Sequence, residues 1–177
     1  MSKLNKYNHK RNFAKTTEPK GKVEKKNKIL RYVVQYHLAS REHYDFRLEW
    51  NGSLKSWAVP KGPTYNSSDK RLAIEVEDHP IEYRNYEGNI PKGEYGGGSI
   101  MIWDEGYWEP LEYEGNSIKF ILYGKRLMGK WALVRMEENN WLLIKEKDEF
   151  SNYDINITEL NTSVRTNRTI KEISVEQ

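Results

Sequence analysis

Residues 43–50 alternate strictly: Tyr44, Phe46, Leu48 and Trp50 are apolar, and His43, Asp45, Arg47 and Glu49 between them are polar. A period of two belongs to a β-strand with two unlike faces. Asn51-Gly52 follows at once, the dipeptide that most readily adopts the positive φ values of a two-residue hairpin turn. A two-residue loop sets the register of the returning strand, residues 53–59. Trp50 falls opposite Ser53, Phe46 opposite Trp57 and Tyr44 opposite Val59, so aromatic residues meet on one face. On the other face Asp45 meets Ala58 and Arg47 meets Ser56, small partners that leave room for a ligand. Lys55 fits least well; it lands opposite Leu48 on the apolar face, near the hairpin end where twist exposes it.

The same β-rich texture, punctuated by Gly, Pro and Asn, runs through residues 31–37, 72–76, 99–103, 117–123, 130–136 and 141–145. About eight short strands at this spacing suggest a barrel or a sandwich, with little helix. Three parts are distinguished: a basic arm at 1–29, flexible or loosely docked; a β domain at 30–149; and a polar tail at 150–177, with one short helix near 170–175. The 177 residues suit one domain with tails.

Charge is uneven. Residues 1–30 hold ten Lys/Arg against two acids, Glu18 and Glu24, while the whole chain carries only +3, so a basic arm leads a mildly acidic body. Such an arm seeks phosphate, as on nucleic acid, or is simply a solvated leader. There is no cysteine, which excludes disulfides, thiolate zinc sites and thiol catalysis. No apolar run suits a membrane span and no apolar leader opens the chain, so a cytoplasmic protein without a membrane partner is expected.

Of four histidines, His9 is in the arm; His37, His43 and His79 are in the β region. Residues 43, 45 and 47 share a strand face, each step about 7 Å. That row offers an imidazole, a carboxylate and a guanidinium: two metal-binding groups and one that grips phosphate. Leu72, Ile74 and Val76 are expected to face the core, which places Arg71, Ala73, Glu75, Glu77 and His79 on the opposite side. A short loop at 38–42 returns His37 beside His43. Two histidines and a carboxylate suit Mn, Zn, Fe or Ni. The same alternation also describes an ordinary solvated sheet face. Gly93-Glu94-Tyr95-Gly96-Gly97-Gly98 precedes a strand rather than a helix, so it reads as a bulge or tight turn, not a nucleotide loop. Lys61 lies between two prolines and is a third cation if a phosphate pocket lies beside it.

The stretches His37–Glu49, Leu54–Pro63 and Val76–Pro80, continued by Tyr86–Gly96, Trp103–Trp108, Leu127–Arg135 and Trp141–Lys145, closely resemble the 3′-phosphoesterase domain of bacterial and archaeal DNA ligase D. Arg11-Asn-Phe with Thr17-Glu-Pro resembles the family's N-terminal element, and Ser163–Ile173 its C-terminal edge, so about residues 11–173 are covered. The resemblance implies a mainly β fold: a small closed or nearly closed barrel of about eight strands, with one or two short helices and polar tails. It implies a Mn²⁺-dependent enzyme, with Zn or Co as other metals, that removes a 3′-terminal ribonucleoside to leave a 3′-phosphate and then removes that phosphate to leave a 3′-OH. Carried over, His37, His43 and Asp45 are metal ligands, Arg47 and His79 hold the scissile phosphate, and Tyr83 assists. Gln35, Lys61, Arg71 and Glu77 match further pocket residues; Arg11 and Glu18 match residues of the diesterase step. His79 either binds a phosphate oxygen or protonates the leaving group. The implied partners are nucleic-acid 3′ ends (a primer-template carrying a 3′ ribonucleotide or 3′-phosphate) and a separate DNA ligase or end-binding repair protein, in end joining. A monomeric, stand-alone phosphoesterase is expected, since the chain has no Lys-x-Asp-Gly nucleotidyl motif. Asn12 departs from the family's usual Asp and bears on the diesterase step. The competing readings are a monoesterase-only enzyme, a non-catalytic nucleic-acid-binding barrel, and a small-molecule enzyme on a cupin-like barrel, which would need an enclosed apolar pocket.

Overall fold

The computed structural model describes residues 3–24 and 29–176. The arm's Lys25, Lys26 and Lys28 therefore lie outside the described residues. The strands are β1 (Arg31–Leu38), β2 (Glu42–Trp50), β3 (Ser53–Val59), β4 (Arg71–His79), β5 (Gly88–Ile90), β6 (Gly98–Glu114), β7 (Ser117–Gly124), β8 (Met128–Glu137) and β9 (Asn140–Lys145). Two five-residue helices flank them, α1 (Asn5–His9) and α2 (Ile170–Ser174). The sheet runs β1-β2-β3-β4-β9-β8-β7-β6-β5, and β1 also pairs with β6. Eight antiparallel strands thus close a barrel, and β5 hangs on the outer edge of β6. Closure removes the unpaired edges that an open sheet exposes. No helix among the described residues is long and apolar enough to cross a membrane.

The hairpin register is the expected one: Tyr44 pairs Val59, Asp45 Ala58, Phe46 Trp57, Arg47 Ser56, Leu48 Lys55 and Trp50 Ser53. Asn51 and Gly52 both take positive φ, 52° and 85°. The inward face packs Phe46, Trp57, Trp103, Phe120, Trp131 and Trp141 into one aromatic core. Each such ring contributes on the order of 1.5–3 kcal/mol when taken from water. Lys55 reconciles itself with that face by pairing Glu75 at 3.4 Å and lying over the Trp57 ring.

β4 departs from expectation. Ala73 is in the core and Leu72 is exposed, so the inward face is Arg71, Ala73 and Glu75, not Leu72, Ile74 and Val76. Glu75 pairs Trp57 in register and accepts the indole N–H of Trp141 at 3.0 Å. The register then shifts: Ser56 pairs Val76, but Leu54 pairs His79, so Glu77 and Asp78 together oppose Lys55. This bulge reverses the parity of the strand end. His79 reaches the outward face with Val76 because of it; simple alternation from an inward Glu75 would have turned it into the core.

The outward face of β1–β4 is not wet. Leu4, Tyr7, Leu54, Tyr83, Tyr86, Ile90 and Ile100 form a second apolar cluster against it, with Phe13 packed on its side. α1 and the 3-10 turn Ile81–Asn85 supply much of this cover. The arm is therefore docked rather than loose; Tyr7 is fully buried and its hydroxyl donates to the Pro19 carbonyl. The C-terminal segment packs too: Ile157 and Ile173 join the main core, and Thr169 and Glu172 form a capping box at the start of α2.

Candidate active site

Between the outward barrel face and this cover lies a cleft of about 310 Å³. β1 and β2 pair His37 directly with His43, as the short loop between them requires. The Asp45 carboxylate then meets three partners: His43 Nε2 at 3.2 Å, Arg47 Nη2 at 3.3 Å and His37 Nδ1 at 3.7 Å. Burial alone would raise the Asp45 pKa. Arg47 and the two imidazoles outweigh it and hold the carboxyl well below its ordinary range. Burial lowers His43, yet its hydrogen bond to Asp45 and that residue's charge leave it raised overall.

Arg47 is almost wholly enclosed. Its Nε donates to Gln35 Oε1 at 2.7 Å, and the Gln35 amide in turn donates to the carbonyls of Tyr83 (2.8 Å) and Tyr86 (3.0 Å). Gln35 thus tethers the guanidinium to the covering turn rather than presenting itself to a ligand. Arg47 Nη1 is buried with no hydrogen-bond partner, a cost of about 1–3 kcal/mol or more for a charged group unless something fills the place.

The arm brings a second guanidinium. Arg11 lies 3.9 Å over the Tyr7 ring, donates through Nε to Glu18 at 3.0 Å, and stands 3.8 Å from Glu77. Glu18 is buried and also accepts from the Tyr83 hydroxyl (2.6 Å) and the Thr16 hydroxyl (2.9 Å). It orients Arg11 and Tyr83 together. Burial drives the Tyr83 pKa well above its ordinary value, with the Glu18 charge adding to it, so the phenol keeps its proton. His79 donates from Nδ1 to the Glu77 carbonyl at 3.0 Å, which leaves Nε2 to accept from Arg11 Nη2 at 3.4 Å. Burial first, and then the charges of Arg47 and Arg11, push His79 well below the ordinary histidine value; it is neutral.

The cleft gathers Arg11, His37, His43, Asp45, Arg47, Glu77, His79 and Tyr83, with Gln35 and Glu18 bonded behind them. Lys61 and Arg71 do not line it. Lys61 is exposed in the turn that follows β3, and Arg71 shares the inward parity of Ala73. Asn12 is exposed as well; its Oδ1 accepts from the Ala14 amide at 3.1 Å, a turn-closing role that Asp fills equally. Three contributors were not foreseen: Tyr7 as the seat of Arg11, Gly96 as a partner of His37, and Tyr95 on the cleft wall. Tyr7 had a faint signal, since it and Phe13 are the two aromatics of a polar arm.

A metal fits the donor set. One ligand atom each from His37, His43 and Asp45 lies within 4.8 Å of the others. His37 Nε2 sits 2.7 Å from the Gly96 carbonyl, which can only accept; the proton is therefore on Nε2 and the Nδ1 lone pair is turned toward Asp45. A carbonyl partner behind an imidazole is how proteins orient a metal-binding histidine. The cleft walls are charged and hydrogen-bonding, not the enclosed apolar pocket that a small-molecule barrel enzyme would need.

A family model described as the DNA ligase D 3′-phosphoesterase domain matches residues 35–135. Among curated proteins, the multifunctional non-homologous end joining protein LigD of Pseudomonas aeruginosa is 44% identical over 182 residues, which take in 94% of this chain and 22% of that protein. The multifunctional non-homologous end joining DNA repair protein LigD of Mycobacterium tuberculosis is 37% identical over 183 residues, 99% of this chain and 24% of that protein. LigD of Mycolicibacterium smegmatis is 41% identical over 159 residues, 83% of this chain and 21% of that protein. The chain spans about a quarter or less of the length of these relatives. Their likeness runs through the strands and loops that build the cleft, and with the matching family model it shows that this chain belongs to the DNA ligase D 3′-phosphoesterase domain family.

Proposed function

We propose that the chain is a Mn²⁺-dependent phosphoesterase that trims nucleic-acid 3′ ends in end-joining repair. It removes a terminal ribonucleoside to leave a 3′-phosphate and then removes that phosphate to leave a 3′-OH. The observation that carries this reading is the buried, unpartnered Arg47 Nη1 beside the His37–His43–Asp45 group. It is a vacant donor of the kind a phosphate oxygen satisfies.

His37, His43 and Asp45 would hold the ion, with Zn or Co as other occupants. A divalent ion there supplies Lewis-acid polarisation of a non-bridging phosphate oxygen. Arg47, fixed by Gln35 and Asp45, neutralises charge that builds on the phosphoryl oxygens. Arg11, seated on Tyr7 and Glu18, holds a second oxygen. A phosphate arriving on Arg11 draws that guanidinium away from His79, and the exposed Nε2 lone pair takes up a proton beside the phosphate anion. A water oxygen bonds to phosphorus as the ester P–O bond breaks, and His79 delivers its proton to the leaving ester oxygen. Tyr83 donates to Glu18 and keeps the arm's carboxylate from competing for the site.

The test is a 5′-labelled primer with one 3′ ribonucleotide on a longer template, incubated with Mn²⁺ or EDTA. Conversion through a 3′-phosphate to a 3′-OH, lost in His43→Ala and Arg47→Ala, is expected. Conversion of a pre-made 3′-phosphate alone means a monoesterase. Binding without conversion, in wild type with Mn²⁺, means a non-catalytic module.

A further inference from the structure

Tyr95 stands on the Gly-rich turn 93–98 with 48% of its surface exposed, and of the large exposed apolar or aromatic side chains among the described residues it alone lines the cleft. Its ring belongs to neither apolar cluster, and its hydroxyl accepts from Lys10 Nζ at 3.2 Å. The turn itself is closed by backbone bonds, Glu94 N–H to Pro91 O at 3.1 Å and Gly97 N–H to Glu94 O at 2.9 Å, with Gly93 and Gly96 at positive φ. Its next residue, Gly96, holds His37. The Tyr95 ring is thus anchored at a set distance from the proposed metal ligands. Two cations of the arm lie over it, Lys10 Nζ at 4.6 Å and Arg11 Cζ at 5.5 Å from the ring centre. Tyr95 also lines a second, adjoining hollow of about 560 Å³ whose wall carries Lys3, Lys6 and Lys10 on the arm side and Glu75, Glu77 and Asp78 on the β4 side.

We propose that Tyr95 is the stacking platform for the base of the nucleotide that bears the scissile phosphate, with the strand continuing past it along Lys3, Lys6 and Lys10 of the arm. The proposal rests on the phosphoesterase reading and deepens it by naming which part of the substrate is read. A phosphate seated on Arg47 and Arg11 leaves its nucleoside to pass the cleft mouth, where Tyr95 offers a π face. Every base has such a face, so the contact is tolerant of sequence. The lysines argue for the retained strand rather than the departing nucleoside, because only the strand brings further phosphates. Two of those lysines are already engaged, Lys10 with Glu77 at 3.0 Å and Lys3 with the Asn51 carbonyl at 2.9 Å. Lys6 has no described partner and is the cation most ready to take the next phosphate.

The experiment compares two 3′-phosphorylated primer strands, one with its terminal base and one abasic at that nucleotide, by anisotropy titration in EDTA. Wild type is expected to bind the strand with the base on the order of ten-fold more tightly, since one base on an aromatic platform is worth about 1–3 kcal/mol. Tyr95→Ala is expected to bring that ratio near one, Tyr95→Phe to keep it, and both variants to bind Mn²⁺ as wild type does. A purely structural role for Tyr95 would weaken both strands equally and disturb Mn²⁺ binding; that result overturns the platform. A wild-type ratio near one, with 3′-phosphate hydrolysis intact in Mn²⁺, also overturns it and leaves the phosphoesterase reading standing. A wild type that neither binds nor hydrolyses either strand overturns both.

Discussion

Asp45 is shared by one guanidinium and two imidazoles, and this sharing sets the behaviour of the site before any ion arrives. His43 is raised above its ordinary pKa by Asp45, so it keeps its proton to higher pH than a free histidine does, and a metal ligand must offer a lone pair in that proton's place. Asp45 is lowered and stays anionic throughout. Mn²⁺ affinity is therefore expected to rise with pH across about pH 5–8, where histidines change charge, and to become pH-independent above the raised His43 value. Calorimetric titration at several pH values checks this; affinity that falls with pH would contradict it. In the metal-free protein the sign is opposite. A raised His43 contributes stability below its unfolded pKa, and that contribution is lost as pH rises through the folded value. Asn12 makes a second residue-scale prediction. Because its Oδ1 only closes a turn, Asn12→Asp is expected to change stability by less than about 0.5 kcal/mol and to leave the ratio of diesterase to monoesterase rates unchanged in the primer assay.

At the scale of elements, the β2–β3 hairpin was legible to the residue because alternation and Asn51-Gly52 act together. β4 was not. Its apolar residues Leu72, Ile74 and Val76 point outward, Leu72 exposed and Ile74 and Val76 half-buried, while the small Ala73 takes the core, and a chain-level pattern cannot show that choice. The bulge at Glu77–Asp78 left no mark in the pattern either. Deletion of Asp78 is expected to remove the bulge, leave Glu77 alone opposite Lys55 and keep His79 opposite Leu54 on the cleft face, so that 3′-phosphate release stays well above the level of His79→Ala. Near-ultraviolet circular dichroism should still report the packed tryptophans. Release as low as that of His79→Ala after the deletion would contradict this register. β6 was read as ending near Trp103 but runs to Glu114. Gly106 and Pro110 look like strand breakers. Yet a side chain at Gly106 would lie 2.1 Å from the Tyr123 carbonyl, and Pro110 sits at a register shift, so both are demanded by the pairing to β7. The meeting of His37, His43 and Asp45 was half legible: one strand face offered His43 and Asp45, and the short loop at 38–42 brought His37. The tethers Gln35–Arg47 and Glu18–Tyr83 join residues far apart in sequence, and no local pattern encodes them.

At the scale of the whole molecule, the barrel is a scaffold whose outward face becomes a site only when the arm folds over it. Tyr7 links the two, since it fills the second apolar cluster and carries Arg11 on its ring. Tyr7→Ala is expected to cost about 3–5 kcal/mol, the usual penalty for deleting a buried ring, in a urea melt. If the arm unfolds separately from the barrel, the melt shows two transitions and the loss falls on the first. Conversion of the 3′ ribonucleotide primer should drop with it, while the tryptophan core stays folded. The account as a whole claims that a single cleft outside the barrel both binds the ion and releases the phosphate. The most direct measurement is phosphate release from a 3′-phosphorylated primer, taken on the same samples as a Mn²⁺ titration, for wild type, His43→Ala and Asp45→Asn. The account predicts saturable Mn²⁺ binding in wild type, loss of that binding in both variants and a parallel loss of release. Undiminished release from variants that no longer bind Mn²⁺ would contradict it.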